Sequence, residues 1–563
     1  MPHRKSTTST CALIIILDGD LVQSPEHLGV AYLAAVLRQR GHECSILEIV
    51  PGKDADSVER VRALEPRFVG ISLTTVNLPR AQRLGAELRQ SLGPEVHICA
   101  GGPIATFLGE RLFEVAGWSF LDSLVRGEGE KAIVSLVEKL LAGEPIHDVP
   151  GVTLPGHQPA LPMVVAVDDL NSLPWPARDQ LERQVGAGRR LPYVRVSTSR
   201  GCTARCTFCN APHAGNNLAR RKGWRGRDPE DVVDELQYLQ DRYNVDTFDF
   251  IDSTFEDPGG KAAGKERVRR IADLILERGL GIYYNTCSQA CNWHEEDREL
   301  LRLLYRSGLE KVLIGIESGS DRVLAMFKKK SRLEDNHRAI RLFREQGVYV
   351  AFGFIMFHPH SEWQDVEDNA DFLARQLGHN LRRFITRLEL YPGAEIIHQL
   401  EADGLLADDY WQTLNPYAYK YANPEIGRMA EMLNRLFGND YLSRGTIVAE
   451  PSVFAFETYD ITLHTYVSRL RRRYLDDPHV RELIEDHSHM IDAQMRELAA
   501  FNADLFAQIM DLARSGRGAG ADLAANVEDR FAQAMEHLKS IQMRLGMHLR
   551  RSGVLPQISR IAA

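Results

Sequence analysis

No apolar run in the 563 residues reaches the roughly 18–20 needed to cross a bilayer. The run nearest the start, Cys11–Leu17, is stopped by Asp18 with no small-residue cleavage site behind it, so it reads as a buried strand and not as a signal peptide. There is no excess of basic charge: 68 Lys and Arg against 77 Asp and Glu leave a net charge of −9, and nothing global to hold nucleic acid. Cysteine is scarce, eight residues with none after Cys291, and too unevenly placed for a disulfide framework. Thiols of this kind stay reduced, so the expected location is the cytoplasm, with neither membrane nor nucleic acid as partner. No G-x-G-x-x-G follows the first apolar run, which lowers a dinucleotide reading. What remains, 44% hydrophobic and 26% charged, is the composition of a globular protein large enough for two to four domains.

Residues 1–150 alternate strand and helix signals. Apolar runs at Ala12–Leu17, Phe68–Ser72, Val96–Ala100 and Phe120–Val125 have strand length. Between them lie amphipathic stretches such as Ser24–Arg40, with Ser24 as N-cap, Pro25 at the first helical position and Gly41 as stop. This pattern predicts a doubly wound α/β domain. Residues 151–192 are rich in proline and polar side chains; Leu170–Asp179 sustains neither helix nor central strand and reads as linker. From 193 to 420 the alternation resumes, with strand signals at Val194–Ser197, Thr247–Ile251, Gly281–Asn285, Val312–Ile316, Tyr349–Phe357 and Phe384–Leu390. Helical patterns such as Glu230–Arg242, Glu296–Arg306 and Leu333–Gln346 separate them, which predicts a partial (β/α)6 barrel of the TIM type. Residues 421–563 are charged, periodic and helical, at Leu463–Leu475, His479–Leu498 and Val527–Leu549.

Ser199–Ala211 reads S-R-G-C-T-A-R-C-T-F-C-N-A, which spaces Cys202, Cys206 and Cys209 as C-x-x-x-C-x-x-C. Thiolates are soft ligands suited to iron–sulfur clusters. Three in one tight loop bind three irons of a cubane and leave the fourth open to a substrate. The loop follows the first barrel strand and so lies at the face where barrel chemistry occurs. A structural zinc site is the competing reading, with His213, four residues after Cys209, as a further ligand.

With these residues the chain resembles the radical SAM (S-adenosylmethionine) superfamily. Phe208 stands where that family has an aromatic residue before the third cysteine. Asp252-Ser253-Thr254-Phe255, after the second strand, resembles the family's acidic SAM-contact segment. Gly315–Ser320, holding Glu317 and Ser318, resembles the segment that meets the ribose and methionine moieties. Gly353–Phe357, holding Phe354 and Ile355, resembles the one that passes the adenine, and Tyr391-Pro392-Gly393 follows the sixth strand in the same manner. The resemblance implies a [4Fe–4S] cluster on Cys202, Cys206 and Cys209, and SAM bound by Phe208, Asp252, Ser253, Glu317, Ser318, Phe354 and Ile355. It further implies reductive cleavage of SAM to a 5′-deoxyadenosyl radical. Cys287 and Cys291, after the third strand, read as ordinary barrel-mouth thiols. Tyr283, Tyr284 and Asn285 lie near that mouth, but no substrate base can be named.

Ahead of such a barrel, the first domain is similar to the cobalamin-binding domain of cobalamin-dependent radical SAM enzymes. Small and polar residues collect at its strand ends: Asp18, Ser72-Leu73-Thr74, Gly101-Gly102-Pro103 and Gly127–Glu130, including Glu128. The resemblance makes these the cobalamin contacts and makes Leu170–Asp179 the interdomain linker. One departure matters. Where methionine-synthase-like proteins place an axial histidine in D-x-H-x-x-G, Ser24–Gly29 has Glu26, with His27 one residue out of place, so cobalamin is expected without a histidine lower ligand.

The function implied is a methyltransferase acting on an unactivated carbon of a small, natural-product-like molecule. It would work through the deoxyadenosyl radical and methylcobalamin, with electrons from an external flavodoxin- or ferredoxin-type donor. A cyclase or rearrangement enzyme with the same cofactors is one alternative. An iron–sulfur or metal-binding redox-responsive protein is another, of a different class. A methylthiotransferase fits less well, because the C-terminal region shows helices where a small RNA-binding β-barrel would be needed.

Overall fold

β1 (Thr10–Ile16) carries T-C-A-L-I-I-I, and every residue after Thr10 is buried. That is the signature of a strand covered on both faces. β2 (Glu43–Ile49), β3 (Phe68–Ser72), β4 (His97–Gly101) and β5 (Ser123–Val125) join it in a parallel sheet of order β2-β1-β3-β4-β5. β6 (Val152–Thr153) pairs antiparallel with β5 at the edge. The winding reverses between β1 and β3, so the crevice at their carboxyl ends is the switch point where such sheets bind ligands. Helices Leu28–Gln39 and Glu130–Ala142 cover one face, packing Val30, Leu37, Ile133 and Leu136 on Leu13, Phe68 and Cys99.

The computed structural model describes residues 10–17, 26–157, 163–189, 191–211, 223–376, 381–437, 453–474, 476–518 and 521–551. The chain divides into two units, the first mainly the residues up to Cys287 and the second mainly those from Ser288 onward. The stretch 193–420 therefore contributes to both.

After the sheet, the first unit holds β7 (Val194–Val196), β8 (Ser199–Gly201), β9 (Trp224–Gly226), β10 (Thr247–Phe250) and β11 (Tyr283–Ser288). β7, β10 and β11 run parallel, with β10 in the middle. β8 and β9 form an antiparallel bracket on either side of the cysteine loop. The second unit holds β12 (Leu309–Glu317) parallel to β13 (Tyr349–Phe354), followed by long helices Val453–Arg473, Pro478–Arg514 and Ala521–Arg551. The strands have two unlike faces. On β10 and β11, Phe248, Phe250, Tyr284 and Thr286 are buried, while Thr247, Asp249, Tyr283, Asn285 and Cys287 keep partial exposure. β13 repeats this, with Val350, Phe352 and Phe354 buried and Tyr349, Ala351 and Gly353 half-buried.

Several expectations need correction. The first helix begins at Leu28, with His27 at its N-cap and no capping side chain. His27 instead gives its backbone N–H to Gln180 Oε1 at 2.8 Å, so another segment satisfies the first turn. Ser24 and Pro25 lie outside the described residues. Gly41, at φ 85°, does end the helix. The stretch 151–192 is not merely extended: it supplies β6, a bridge from Val165 to Gly127, a 3₁₀ turn at Leu170–Ser172 and the helix Asp179–Gly186. Of the six barrel strand signals, five are strands. The sixth, Phe384–Leu390, begins inside a 3₁₀ helix, Leu381–Ile385, which buries Phe384 and Ile385 by turning. Only a single bridge, Arg387 to Phe357, remains of it.

Candidate functional site

β8 runs directly into Cys202. Gly201 between them has φ 89°, and a Cβ there would collide with the Gly223 carbonyl oxygen, so only glycine closes this bracket. Cys202 and Cys206 are buried and Cys209 is half-buried; the three pack with Ala204 and Phe208 in one small cluster. The Ala204 N–H points at Cys202 Sγ from 3.4 Å, and the Cys209 N–H donates to the Cys206 carbonyl at 3.2 Å. Asp257, fully buried, pins the loop by accepting from the Thr203 N–H at 2.8 Å, the Thr203 hydroxyl at 2.9 Å and the Gly259 N–H.

Among the described residues no three Cys, His, Asp or Glu side chains converge as ligands of one ion. A cubane takes each thiolate on its own iron, a role that three thiols packed in one small cluster can fill. His213 lies outside the described residues.

Asp252 does not reach toward a ligand. Its buried carboxylate accepts from the N–H groups of Thr198 (2.8 Å) and Ser199 (2.9 Å) and from the Thr198 hydroxyl. Burial pushes it above the usual carboxylate range, and Arg267 opposes the rise. Burial in turn lowers Arg267 to about 10. Asp252 thus ties the end of β10 to the start of the cysteine bracket. Ser253, its neighbour, lines the cavity of the first domain.

In the second unit Glu317 sits at a register shift in β12 with φ 65°, a left-handed conformation uncommon for a residue other than glycine. Such strain clusters at functional sites. The carboxylate lies over Gly315, where a Cβ would be 2.5 Å from Glu317 Oε1, and Lys329 Nζ is 3.5 Å away. Its carbonyl accepts from the Ile355 N–H at 2.8 Å, which brings the Glu317 and Phe354–Ile355 segments together. Ser318 is spent on packing: it is fully buried and donates to Asn369 Oδ1 at 2.7 Å. Phe354 and Ile355 are buried.

A cavity of about 420 Å³ opens at the switch point of the first sheet. Leu13, Phe68, Gly70, Cys99 and Ile133 make an apolar wall; Arg200, Gly201, Ile251 and Ser253 line it from the cysteine bracket and β10 side. Six of the expected cobalamin contacts line it: Ser72, Gly101, Gly102, Pro103, Gly127 and Glu128. Leu73 and Thr74 do not; their N–H groups go to the Gly101 carbonyl and to Asn77 Oδ1. Asp18 lies outside the described residues. Burial pushes the Cys99 thiol up to about 12, which leaves it a neutral part of the wall. Glu128 is engaged by protein: Arg225 holds both its oxygens at 2.8 Å, and the Val167 N–H donates at 2.5 Å. Burial would raise its pKa, but Arg225 and Arg200 outweigh that and hold it below the usual carboxylate range. An apolar wall with a polar rim suits a large ligand carrying an apolar body and amide edges. Tyr32, Leu33 and Arg200 also line the cavity without a sequence signal to announce them; Arg200 has only its place beside the cysteine motif.

Residues 196–373 match the radical SAM superfamily and residues 16–137 the B12 binding domain. An uncharacterized methyltransferase of Pyrococcus horikoshii is 26% identical over 458 residues, covering 79% of this chain and 94% of its own. The anaerobic magnesium-protoporphyrin IX monomethyl ester cyclase of Rubrivivax gelatinosus is 27% identical over 341 residues, 58% of each chain. The cobalamin-dependent S-adenosylmethionine radical enzyme OxsB, solved with aqua-cobalamin and SAM, shares the fold at a TM-score of 0.67 and 17% identity, over 96% of this chain and 84% of that one. The chain belongs to the cobalamin-binding branch of the radical SAM superfamily. It is an enzyme whose cofactors are a [4Fe–4S] cluster, SAM and cobalamin.

Among the described residues no helix is long and apolar enough to cross a membrane.

Proposed function

We propose that this enzyme transfers a methyl group from SAM, by way of cobalamin, to an unactivated carbon of a small, natural-product-like molecule, working in a reducing cytoplasm with electrons from a flavodoxin- or ferredoxin-type donor. The observation that carries the reading is the shared wall: Arg200 and Gly201, which lead into Cys202, line the same cavity as the cobalamin-domain loop Gly127–Glu130. Adjacent sites let one substrate meet both cofactors without leaving the protein. When bound, the cluster supplies the electron that splits SAM and cobalamin supplies a methyl carrier. The chain's own residues do the holding. Cys202, Cys206 and Cys209 ligate, Asp257 fixes the loop that carries them, and Glu317 with Lys329 offers a charged pair to the amino acid end of SAM.

A second reading, ring closure without methyl transfer, draws on the likeness to the Rubrivivax gelatinosus cyclase. Anaerobic protein loaded with iron and hydroxocobalamin, given SAM and a reductant, separates the two. S-adenosylhomocysteine released in proportion to bound cobalamin supports methyl transfer. 5′-Deoxyadenosine with no S-adenosylhomocysteine supports the cyclase reading, and neither product rejects both.

A further inference from the structure

The two carboxylate oxygens of Glu130 are in different circumstances. Oε1 pairs with Arg200 Nη2 at 2.8 Å. Oε2 is buried and has no hydrogen-bond partner among the described residues. Glu130 is only 4% exposed and lines the cavity of the first domain. A buried acceptor without a donor is costly, and the usual resolution is a donor on the ligand that fills the site.

Arg200 is also unusually placed. It lies directly opposite Arg225 across the two-stranded bracket, and Cys202 is two residues further on. Like charges directly opposite one another push a strand pair apart. Here Glu128 takes Arg225 with both oxygens at 2.8 Å, and Glu130 takes Arg200. The Tyr32 ring, 4.8 Å from the Arg200 guanidinium carbon, supports the same cation from its face. Two glutamates of one cobalamin-domain loop thus hold the two arginines of the bracket that closes the cysteine loop. Glu128 has every oxygen engaged by protein. Glu130 has one to spare.

We propose that Glu130 is a positioning residue coupling the two cofactor sites: its Oε2 accepts a hydrogen bond from a carboxamide N–H at the edge of the corrin, while its Oε1 holds Arg200 and with it the strand that enters Cys202. A carboxamide N–H can donate to the unoccupied Oε2 without displacing Arg200 from Oε1. Because coupling between binding sites is reciprocal, cobalamin steadies the cluster loop and the cluster tightens cobalamin by the same factor. The inference rests on cobalamin being bound and is independent of whether a methyl group is transferred.

The test is a titration of hydroxocobalamin, followed by absorbance, into the anaerobic full chain with its cluster and into the same protein stripped of iron. Wild type should bind about five- to tenfold more tightly with the cluster present. Glu130→Gln, nearly the same size, should lose about five- to tenfold in the cluster-loaded form and bind equally in both forms. Arg200→Gln should also abolish the difference, while Arg200→Lys, which keeps the charge, should retain most of it. The electron paramagnetic resonance signal of the reduced cluster gives a second readout: cobalamin should shift it in wild type and not in Glu130→Gln. Wild-type affinity and coupling in Glu130→Gln, or a loss of affinity equal in both forms, would overturn the inference. If Glu130→Gln prevents folding, coupling that survives intact in Arg200→Gln overturns it instead. Wild type that binds no cobalamin overturns the premise as well; binding without a cluster-dependent difference overturns the coupling alone.

Discussion

Arg178 and Glu235 meet at 2.7 Å with 5% and 1% of their side chains exposed, and Glu26 holds the same guanidinium at 3.0 Å with 6% exposed. Glu26 lies just before the first helix, Arg178 in the stretch read as linker, and Glu235 on the helix Pro229–Tyr243. Three distant stretches of the first unit are thereby tied at one buried point. Removing Arg178 leaves the Glu26 carboxylate without its cation in a low dielectric, while Glu235 keeps Arg227 at 2.5 Å. Arg178→Met should therefore destabilise the protein by about 3–5 kcal/mol in urea denaturation. Arg302→Ala, which breaks a pair on an exposed helix face, should leave the midpoint where it was.

Asp257 supports the cysteine loop without touching a ligand. Groups that orient ligands typically change metal affinity by about 10–100-fold when lost. Asp257→Ala should retain the three thiols yet hold markedly less iron after reconstitution and desalting. Iron content equal to wild type would mean the bracket alone fixes the loop.

Glu317 combines strain with a charge. Glycine adopts its φ of 65° freely, so Glu317→Gly should leave stability unchanged or raise it by up to about 1 kcal/mol. The same variant loses the carboxylate, and SAM affinity of the cluster-loaded protein should fall about tenfold in calorimetric titration. Glu317→Gln, which keeps the strain, should lose affinity with no gain in stability. A Glu317→Gly variant that unfolds earlier would show that the carboxylate and Lys329 matter to the fold more than to SAM.

The helical region carries a pH dependence. Burial lowers the His464 pKa, but the Asp460 carboxylate, 3.1 Å away, outweighs it and raises the group above its ordinary value. The same carboxylate accepts from the Tyr349 hydroxyl at 2.9 Å, which joins the helix Val453–Arg473 to β13. For a base whose folded pKa is raised, the stabilisation is complete below the unfolded value, about 6.5, and is lost as pH rises through the folded value. The thermal midpoint should thus decline from about pH 6 upward through that range. His464→Gln should flatten this part of the profile.

Long, strongly patterned elements were legible in the sequence. β1 and β3 and the helices around them declared themselves through unbroken apolar runs and 3.6-residue periodicity. The bracket β8–β9 could not be read, because two three-residue strands show no period and their pairing is decided by Gly201 across twenty-odd residues. The sixth strand signal failed for the opposite reason: Phe384 and Ile385 are apolar, but a 3₁₀ turn buries them as well as a strand would. In the site, the gathering of Cys202, Cys206 and Cys209 in one small cluster was legible from their spacing within a single loop. The bonds from the Asp252 carboxylate to the Thr198 and Ser199 N–H groups could not be read, because a carboxylate at a strand end looks the same whether it faces a ligand or caps a neighbouring backbone. Glu128 does stand at the cavity, but its arginine partner Arg225 lies about a hundred residues away, beyond any local pattern.

The unlike faces of β10, β11 and β13 set where this enzyme can change. An ordinary (β/α)8 barrel fills its interior with close-packed branched side chains, so a substitution there leaves a hole or an overlap. In the first unit Asp249 and Asn285 keep partial exposure while Phe250 and Tyr284 are buried, and in the second Ala351 keeps it while Phe352 is buried. Substitution at a partly exposed position of these strands should cost less stability than truncation of a buried aromatic ring beside it.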